Sequence, residues 1–431
     1  MTALPGERPA APDVRELSDS RPPTLKSLGL RNLFVTLPLA ILSFSVFWGG
    51  VQGVLLPLQV QSLDREGQDG ALAMIIGMGA IASMVAAPIA GALTDRTRSR
   101  LGGRAPWMIF GAVSTFALAV GLAFAPSIAV MAVIIVAIQF TTSLILTPVS
   151  AFIPDRVPVI KRGMFSAAFG LAQLVGNVIG QSVGAAFSST LVVGYLVVGG
   201  LLAALVLLFA LTNTRSNVGQ PKPAWSLLSI LQTFWVNPVK HPNFAWTFFG
   251  RFLLFTGYFP LWTFMLYLLQ DFVGLGEAAI GVIPTMGLAN LVGSVLGTAL
   301  AGYAVQRFKR TKPVILAASA IIMVALAVPL AAPGLTSMLV YAALAGFGMG
   351  AFISVDFVLI TLVLPDAENT GKDLGIINVT TTLPQTIGVT IGVTIGGLAI
   401  AAFGTYGALL PFGIIATGLG ALLLFFIRGV R

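Results

Sequence analysis

No cysteine occurs in the 431 residues, histidine occurs once, and Asp and Glu together number only 15. The first absence excludes disulfide scaffolds, thiolate nucleophiles and thiolate metal sites. The second leaves no imidazole set for a transition metal, so neither a metal nor a cofactor is expected. Charged residues make up 9% of the chain, against roughly 25% in a soluble domain. A water-soluble globule is therefore excluded. What is present is 57% hydrophobic residues, with 48 Gly and 29 Phe spread through long apolar runs, a composition that suits lipid.

About 20 apolar residues cross about 30 Å of hydrocarbon, and by that measure the sequence predicts twelve helices. They run near 33–60, 71–94, 106–125, 128–153, 164–188, 190–212, 244–270, 278–303, 313–332, 335–364, 374–402 and 405–427. The fold class is thus an all-α membrane protein of 12 transmembrane helices. Pro126-Ser127 and Pro333-Gly334 interrupt otherwise continuous apolar runs and mark tight helical hairpins. Residues 1–32, rich in Pro and charge, read as a disordered cytoplasmic tail with no signal-peptide pattern. The polar stretch 213–243, with Pro221-Lys222-Pro223 and Lys240-His241-Pro242, reads as a cytoplasmic linker. It separates helical segments 33–212 and 244–428.

The formal charge of +9 invites a nucleic-acid reading, but its distribution excludes it. With the N-terminus inside, 22 of the 24 basic residues fall in the cytoplasmic segments; Arg65 lies in an outer loop and Arg251 inside a span. That asymmetry satisfies the positive-inside rule, with both termini cytoplasmic in an inner membrane. The lipid bilayer is the partner implied, and a monomer is expected.

The chain is also written twice. Leu171 to Gly180 aligns with Leu383 to Gly392 at an offset of 212, matching Gln173 with Gln385, Gly176 with Gly388 and Gly180 with Gly392; Gly184 then matches Gly396. Pro154-Asp155 matches Pro365-Asp366 and Ala90-Gly91 matches Ala301-Gly302, both at 211. Twelve spans are six plus six, two pseudo-symmetric six-helix bundles, as repeated transporters are built. The glycine ladders at 176, 180, 184 and at 388, 392, 396 each form one smooth stripe. Such a stripe serves static helix packing or a sliding contact between halves.

The stretch Gly91-Ala-Leu93-Thr-Asp95-Arg96-Thr-Arg98-Ser-Arg100-Leu-Gly102-Gly103-Arg104-Ala-Pro106-Trp107 resembles the loop signature of the major facilitator superfamily. Its inserted Arg-Ser-Arg and closing Gly-Arg-x-Pro-Trp resemble the glycoside, pentoside and hexuronide cation symporters and the sucrose/proton symporters. Leu364-Pro365-Asp366 to Gly375 is similar to bacterial members of that branch. The resemblance implies a cytoplasmic gate at Gly91, Asp95, Arg96 and Arg104, in which the Asp holds the cytoplasmic side closed. The repeat partner carries Gln306-Arg307 where Asp95-Arg96 stands, so an asymmetric latch is expected. The resemblance also implies that the first, fourth, seventh and tenth helices line a central cavity. Sugar carriers of that branch hold acidic residues in their first-half helices. None falls in the first six spans here, so the expected coupling ion is the proton and not sodium.

Two charged residues fall well inside spans, Arg251 in the seventh and Asp356 in the tenth. Each costs about 2.5–3.5 kcal/mol at a helix centre. Both sit roughly 10–13 Å from the cytoplasmic ends of their helices at 1.5 Å per residue, and equal depth predicts an Arg251–Asp356 ion pair. It serves either to align two helices or to couple protons, since a carboxylate whose partner comes and goes exchanges its proton with that movement. Arg251, Phe255, Tyr258 and Trp262 share one helical face. Trp48 with Gln52, Gln139 with Ser143, Gln173 with Asn177 and Gln181, and Asn378 with Thr382 and Gln385 give polar faces on the first, fourth, fifth and eleventh helices. Aromatic rings and neutral amides suit an uncharged polyol. Trp48, Gln52, Gln139, Ser143, Tyr258, Trp262, Asn378 and Gln385 are therefore the candidate substrate contacts, although buried helix-to-helix hydrogen bonds use the same residue types.

The expected function is a secondary active transporter for a small polar solute such as a glycoside or disaccharide, proton-coupled and working by alternating access. An exporter of amphipathic compounds and an uncoupled, channel-like pathway are the alternatives. No phosphate-binding Gly-x-x-x-x-Gly-Lys-Ser/Thr loop occurs. One in-span acid and no in-span His offer nothing for an enzyme to work with.

Overall fold

The computed structural model describes residues 30–213, 216–218, 242–308, 310–363, 388 and 391–427. Helix α1 spans Arg31–Leu63, α2 Gln68–Arg96, α3 Ala105–Ala123, α4 Ile128–Arg156, α5 Val159–Ala186 and α6 Leu191–Thr212. After residues 219–241, which lie outside the described set, α7 runs Pro242–Thr263 and continues as Met265–Phe272. Then follow α8 Ala279–Phe308, α9 Lys312–Ala331, α10 Leu335–Val363, α11 Ile391–Phe403 and α12 Leu409–Phe425. Among the described residues there is no strand. Among the described residues, ten helices are long and apolar enough to cross a membrane, eleven with the two pieces of α7 taken together. Lipid-facing backbone requires this, since only a helix bonds all its own N–H and C=O groups.

The described helix ends fall within about five residues of those expected, and the expected start of the eleventh helix lies outside the described residues. Two departures matter. Helix α2 begins at Gln68, which brings Asp69 into its first turn, so the first half does carry a carboxylate on a helix. Helix α7 is bent by 58° near Phe264, four residues after Pro260, whose missing N–H opens the ladder. Helix α1 changes at the same place in the repeat: Val51–Leu55 is wound as a π-helix, and Gly53 lies 211 residues before Phe264.

The packing repeats with the sequence. Helix α1 packs on α5 and α6, α2 on α4, and α3 on α4 and α6; correspondingly α7 packs on α12, α8 on α10, and α9 on α10 and α12. Both glycine ladders are used inside their own half. A Cβ on Gly176, Gly180 or Gly184 would run into Leu42, Val46 or Gly50 of α1. One on Gly388, Gly392 or Gly396 would meet Phe252, Thr256 or Pro260 of α7. The ladder as a sliding contact between halves is thereby corrected: backbones this close are fixed packing.

Two ends can be told apart. The basic end carries Arg96–Arg104, Arg156–Arg162 and Arg307–Lys312; the opposite end carries residues 64–67, 187–190, 273–278 and 404–408. Described contacts between halves gather toward the opposite end. There Tyr267 donates to the Pro57 carbonyl at 2.7 Å, and the Gln61 amide donates to Gln270 at 3.0 Å. Gln68 donates to the Tyr406 hydroxyl at 3.0 Å. Gln181 of α5 lies against Gly287 of α8.

Candidate functional site: a buried ion pair, an aromatic cluster and a basic-end gate

Arg251 and Asp356 are brought together by α7 and α10, with Nη2 of the arginine 3.0 Å from Oδ2 of the aspartate. Both are buried, at 3% and 5% exposure, so the pair is shielded from the screening that makes surface pairs worth little. Phe255, one turn along α7 from Arg251, places its ring 6.0 Å from the guanidinium. It also meets Phe352, one turn from Asp356, edge to face at 6.2 Å. The pair thus rests on an aromatic floor built at i and i+4 on both helices. Asp356 Oδ1 is buried and has no hydrogen-bond partner among the described residues. A carboxylate oxygen in that position has acceptor capacity unused by the fold.

About two turns further along α7, some 10 Å at 1.5 Å per residue, lies a neutral cluster. Asn290 of α8 donates to the Tyr258 hydroxyl at 3.3 Å and to the Ala342 carbonyl of α10 at 3.2 Å. The rings of Trp262 and Tyr341 lie 6.4 Å apart at 33°. The indole N–H of Trp262 and the hydroxyl of Tyr341 are buried without a partner among the described residues. From the other half, Gln181 takes a 2.8 Å bond to Asn177 and leaves its own Oε1 buried and unused. It sits over Gly53 of α1 and Gly287 of α8, one turn from Asn290. The site therefore offers one donor, one hydroxyl and one acceptor that the fold itself leaves unused.

The expected contacts are distributed unevenly around this cluster. Tyr258 and Trp262 are in it. Trp48 and Gln52 are half-buried on α1, with Trp48 edge-on to Phe47 at 5.4 Å and Gln52 next to the Gly53 that Gln181 covers. Gln139 lies over Gly79 of α2, and the Ser143 hydroxyl is spent on the Gln139 carbonyl at 2.7 Å. Gln139 thus serves the α2–α4 contact inside the first half, and Ser143 bonds back to its own helix. Asn378 and Gln385, with Thr382, lie outside the described residues. Asn290 and Tyr341 were not singled out from the sequence: one Asn or Tyr in an apolar helix has no periodic signal, and only the helix azimuth shows where it faces.

At the basic end the loop 97–104 is held from several sides. Arg98 donates to the carbonyls of Asp95 and Thr97 at 2.6 and 3.0 Å, and the Trp107 indole donates to Thr97 at 2.7 Å. Arg104 forms an ion pair with Asp155 of α4, and its guanidinium lies 5.5 Å from the Phe152 ring. Arg156 stacks on the same ring at 4.5 Å and donates to the Asn213 carbonyl at 2.7 Å. Asn217, just beyond α6, accepts from the Ser99 N–H at 3.0 Å and donates to the Thr97 carbonyl at 2.9 Å. Asp95, Arg98, Arg104, Asp155, Arg156 and Asn217 are among the residues that line a cavity of about 360 Å³. Asp95 and Arg96 are exposed, and Gly91 is half-buried against Thr147 of α4. Of the four residues expected at a gate, Asp95 and Arg104 line this cavity, and the acidic partner of Arg104 is Asp155. Its repetition as Pro154-Asp155 and Pro365-Asp366 was the signal that could have found it.

The Major Facilitator Superfamily sequence model matches residues 39–388. No curated protein matches in sequence. Among solved structures, the nucleoside transporter NupG is similar at TM-score 0.71 and 14% identity, over 92% of this chain and 98% of that one. A D-xylose-proton symporter is similar at 0.66 and 17%, over 92% and 97%. A bacterial homologue of the human lysosomal transporter Spinster, inward-facing and unoccupied, is similar at 0.64 and 16%, over 92% and 94%. Identities this low speak for the fold alone, but the sequence match covers most of the chain, and the protein belongs to the major facilitator superfamily.

Proposed function

We propose that the protein carries a small, uncharged, polar solute of the glycoside or disaccharide kind across the cytoplasmic membrane, together with protons, by alternating access. The observation that carries this reading is the stacking of two unlike polar layers along α7 and α10. One is a buried ion pair; the other is a neutral aromatic and amide cluster with three buried polar atoms, Trp262 Nε1, Tyr341 Oη and Gln181 Oε1, lacking partners. A solute with several hydroxyls can donate to the amide oxygen, accept from the indole and lie against an aromatic face at once. A charged solute would meet no counter-charge in that layer.

Asp356 is the coupling group in this reading, with Arg251 as its resident partner, and the lengthened 91–107 loop keeps the glycoside and sucrose symporter branch as the source of the substrate class. The basic end faces the cytoplasm by the positive-inside rule. Contacts between halves gathered at the opposite end then correspond to an outer side that is closed. A thermal-shift panel of glycosides, polyols and amphipathic cations on the purified protein, followed by uptake into vesicles with and without a pH gradient, tests it. Stabilisation by a sugar and gradient-driven accumulation are expected. Stabilisation by amphipathic cations alone favours the exporter, and equilibration without accumulation favours the uncoupled pathway. If Asp356→Asn concentrates solute as well as the parent does, the coupling role is wrong.

A further inference from the structure

The opposite end holds polar groups that neither the ion pair nor the aromatic cluster uses. Tyr406 opens a single 3-10 turn before α12, where the Thr405 hydroxyl accepts from the Gly407 N–H at 3.2 Å. Its side chain is buried at 6% exposure, and its hydroxyl is fully engaged: it donates to the Asp69 carboxylate and accepts from the Gln68 amide at 3.0 Å. Both partners are in the first turn of α2, where a carboxylate is favoured by the helix dipole. The ring packs 5.9 Å from that of Tyr267, which donates to the Pro57 carbonyl of α1 at 2.7 Å. Gln61 and Gln270 close the row. Each of these bonds joins the first half to the second, and the one to Asp69 is charge-assisted, the stronger kind.

The geometry points to a latch whose bolt is the Tyr406 hydroxyl: it ties the start of α12 to the start of α2, and the opposite end opens only when that bond parts. A phenol fits this duty because it donates and accepts at one atom, so a single side chain holds two neighbouring residues of the other half. Asp69 is faced by Tyr406 from α12 and by Tyr267 and Asp271 from α7. Asp271 is exposed and already hydrated, so the carboxylate that Tyr406 holds is Asp69. The inference rests on the two-half architecture and not on any choice of solute.

The test uses the full chain in lipid nanodiscs without substrate. Since the protein has no cysteine, cysteines introduced at exposed Ser62 and Glu277, on opposite halves, take spin labels uniquely, and the distance distribution between them reports the opening. Tyr406→Phe keeps the ring on Tyr267 and removes only the hydroxyl; Asp69→Ala removes the acceptor. Each is expected to raise the ratio of long to short distances by about ten- to hundredfold, the worth of one hydrogen bond to a charged group. The double variant should do no more than the larger single, because Tyr406→Phe already removes the bond to Asp69 along with that from Gln68. An unchanged distribution in both singles, or effects that multiply in the double, overturns the latch. A melting temperature close to the parent's shows that Tyr406→Phe still folds. Because no solute is present, failure here is separate from failure of the sugar reading.

Discussion

The two halves share a packing plan but not a charge plan. Position for position, 211 residues upstream of Arg251 and Asp356 stand Ala40 and Ile145, both fully apolar and buried. Conversely, the first half ties its loop 97–104 with Arg104, Asp155, Arg156 and Asn217, whereas the residue that precedes α9 as Arg104 precedes α3 is the uncharged Thr311, buried in the second half. In the second half the corresponding junction of α9 and α12 is held by Lys312, which donates to the Ile427 carbonyl at 2.9 Å and lies 4.9 Å from the Phe425 ring. The contact of helix with helix depends on shape, which both repeats preserve. The placement of charge is what gives each half its own work: a core pair in one, a surface clasp in the other.

The largest test of that comparison makes the second half resemble the first. Removing one partner, as in Arg251→Ala or Asp356→Ile, leaves a buried charge uncompensated and is expected to cost about 3–5 kcal/mol, read as a large fall in the thermal unfolding midpoint in detergent. The double variant, carrying the first half's Ala and Ile, should recover most of that loss while abolishing concentrative uptake. If it stays as unstable as the singles, the pair is a structural requirement of this half and not a functional addition.

A symmetric effect should follow from the glycines. Gly180→Ala and Gly392→Ala each push a methyl into backbone of α1 or α7, and overpacking of that kind costs about 1–3 kcal/mol. Similar losses in the two halves sharpen the shared packing plan; a loss in only one would break it. Smaller effects belong to the clasp. Asn217→Ala removes bonds to Ser99 and Thr97, each worth about 1 kcal/mol net, and should speed amide hydrogen exchange across 97–103 while leaving α9 and α12 unchanged. Smallest is Asp155→Asn: with Arg104 21% and Asp155 51% exposed, solvent screening holds the pair to at most about 1 kcal/mol. Its melting midpoint should barely move.

Most of the fold was legible because it is written in the apolar runs, the proline-marked turns and the constant repeat offset. The Arg251–Asp356 contact was legible as well, from equal depth on two helices where an isolated charge is costly. What one dimension does not carry is azimuth. Gln139 and Ser143 have the spacing of a polar face, but Gln139 turns into α2 and Ser143 bonds back to its own helix. Asn290 and Tyr341 have no spacing at all, yet converge with Tyr258 and Trp262. The acid on Arg104 is Asp155 at the end of α4, about fifty residues along the chain, and not the nearby Asp95 at the end of α2. The bend in α7 was hidden because Pro260 within an apolar run is compatible with a straight span.

The altered winding at Val51–Leu55 and the bend near Phe264 stand at matching places in α1 and α7. Below them, toward the basic end, each helix is clamped backbone to backbone on its glycine partner; above them it carries Pro57 and Gln61, or Tyr267 and Gln270. A helix with an interrupted ladder flexes at the interruption before it flexes elsewhere. Each of these two helices is consequently jointed like a finger, with a stiff lower phalanx and a fingertip that can release its grip on the other hand while the palm stays still.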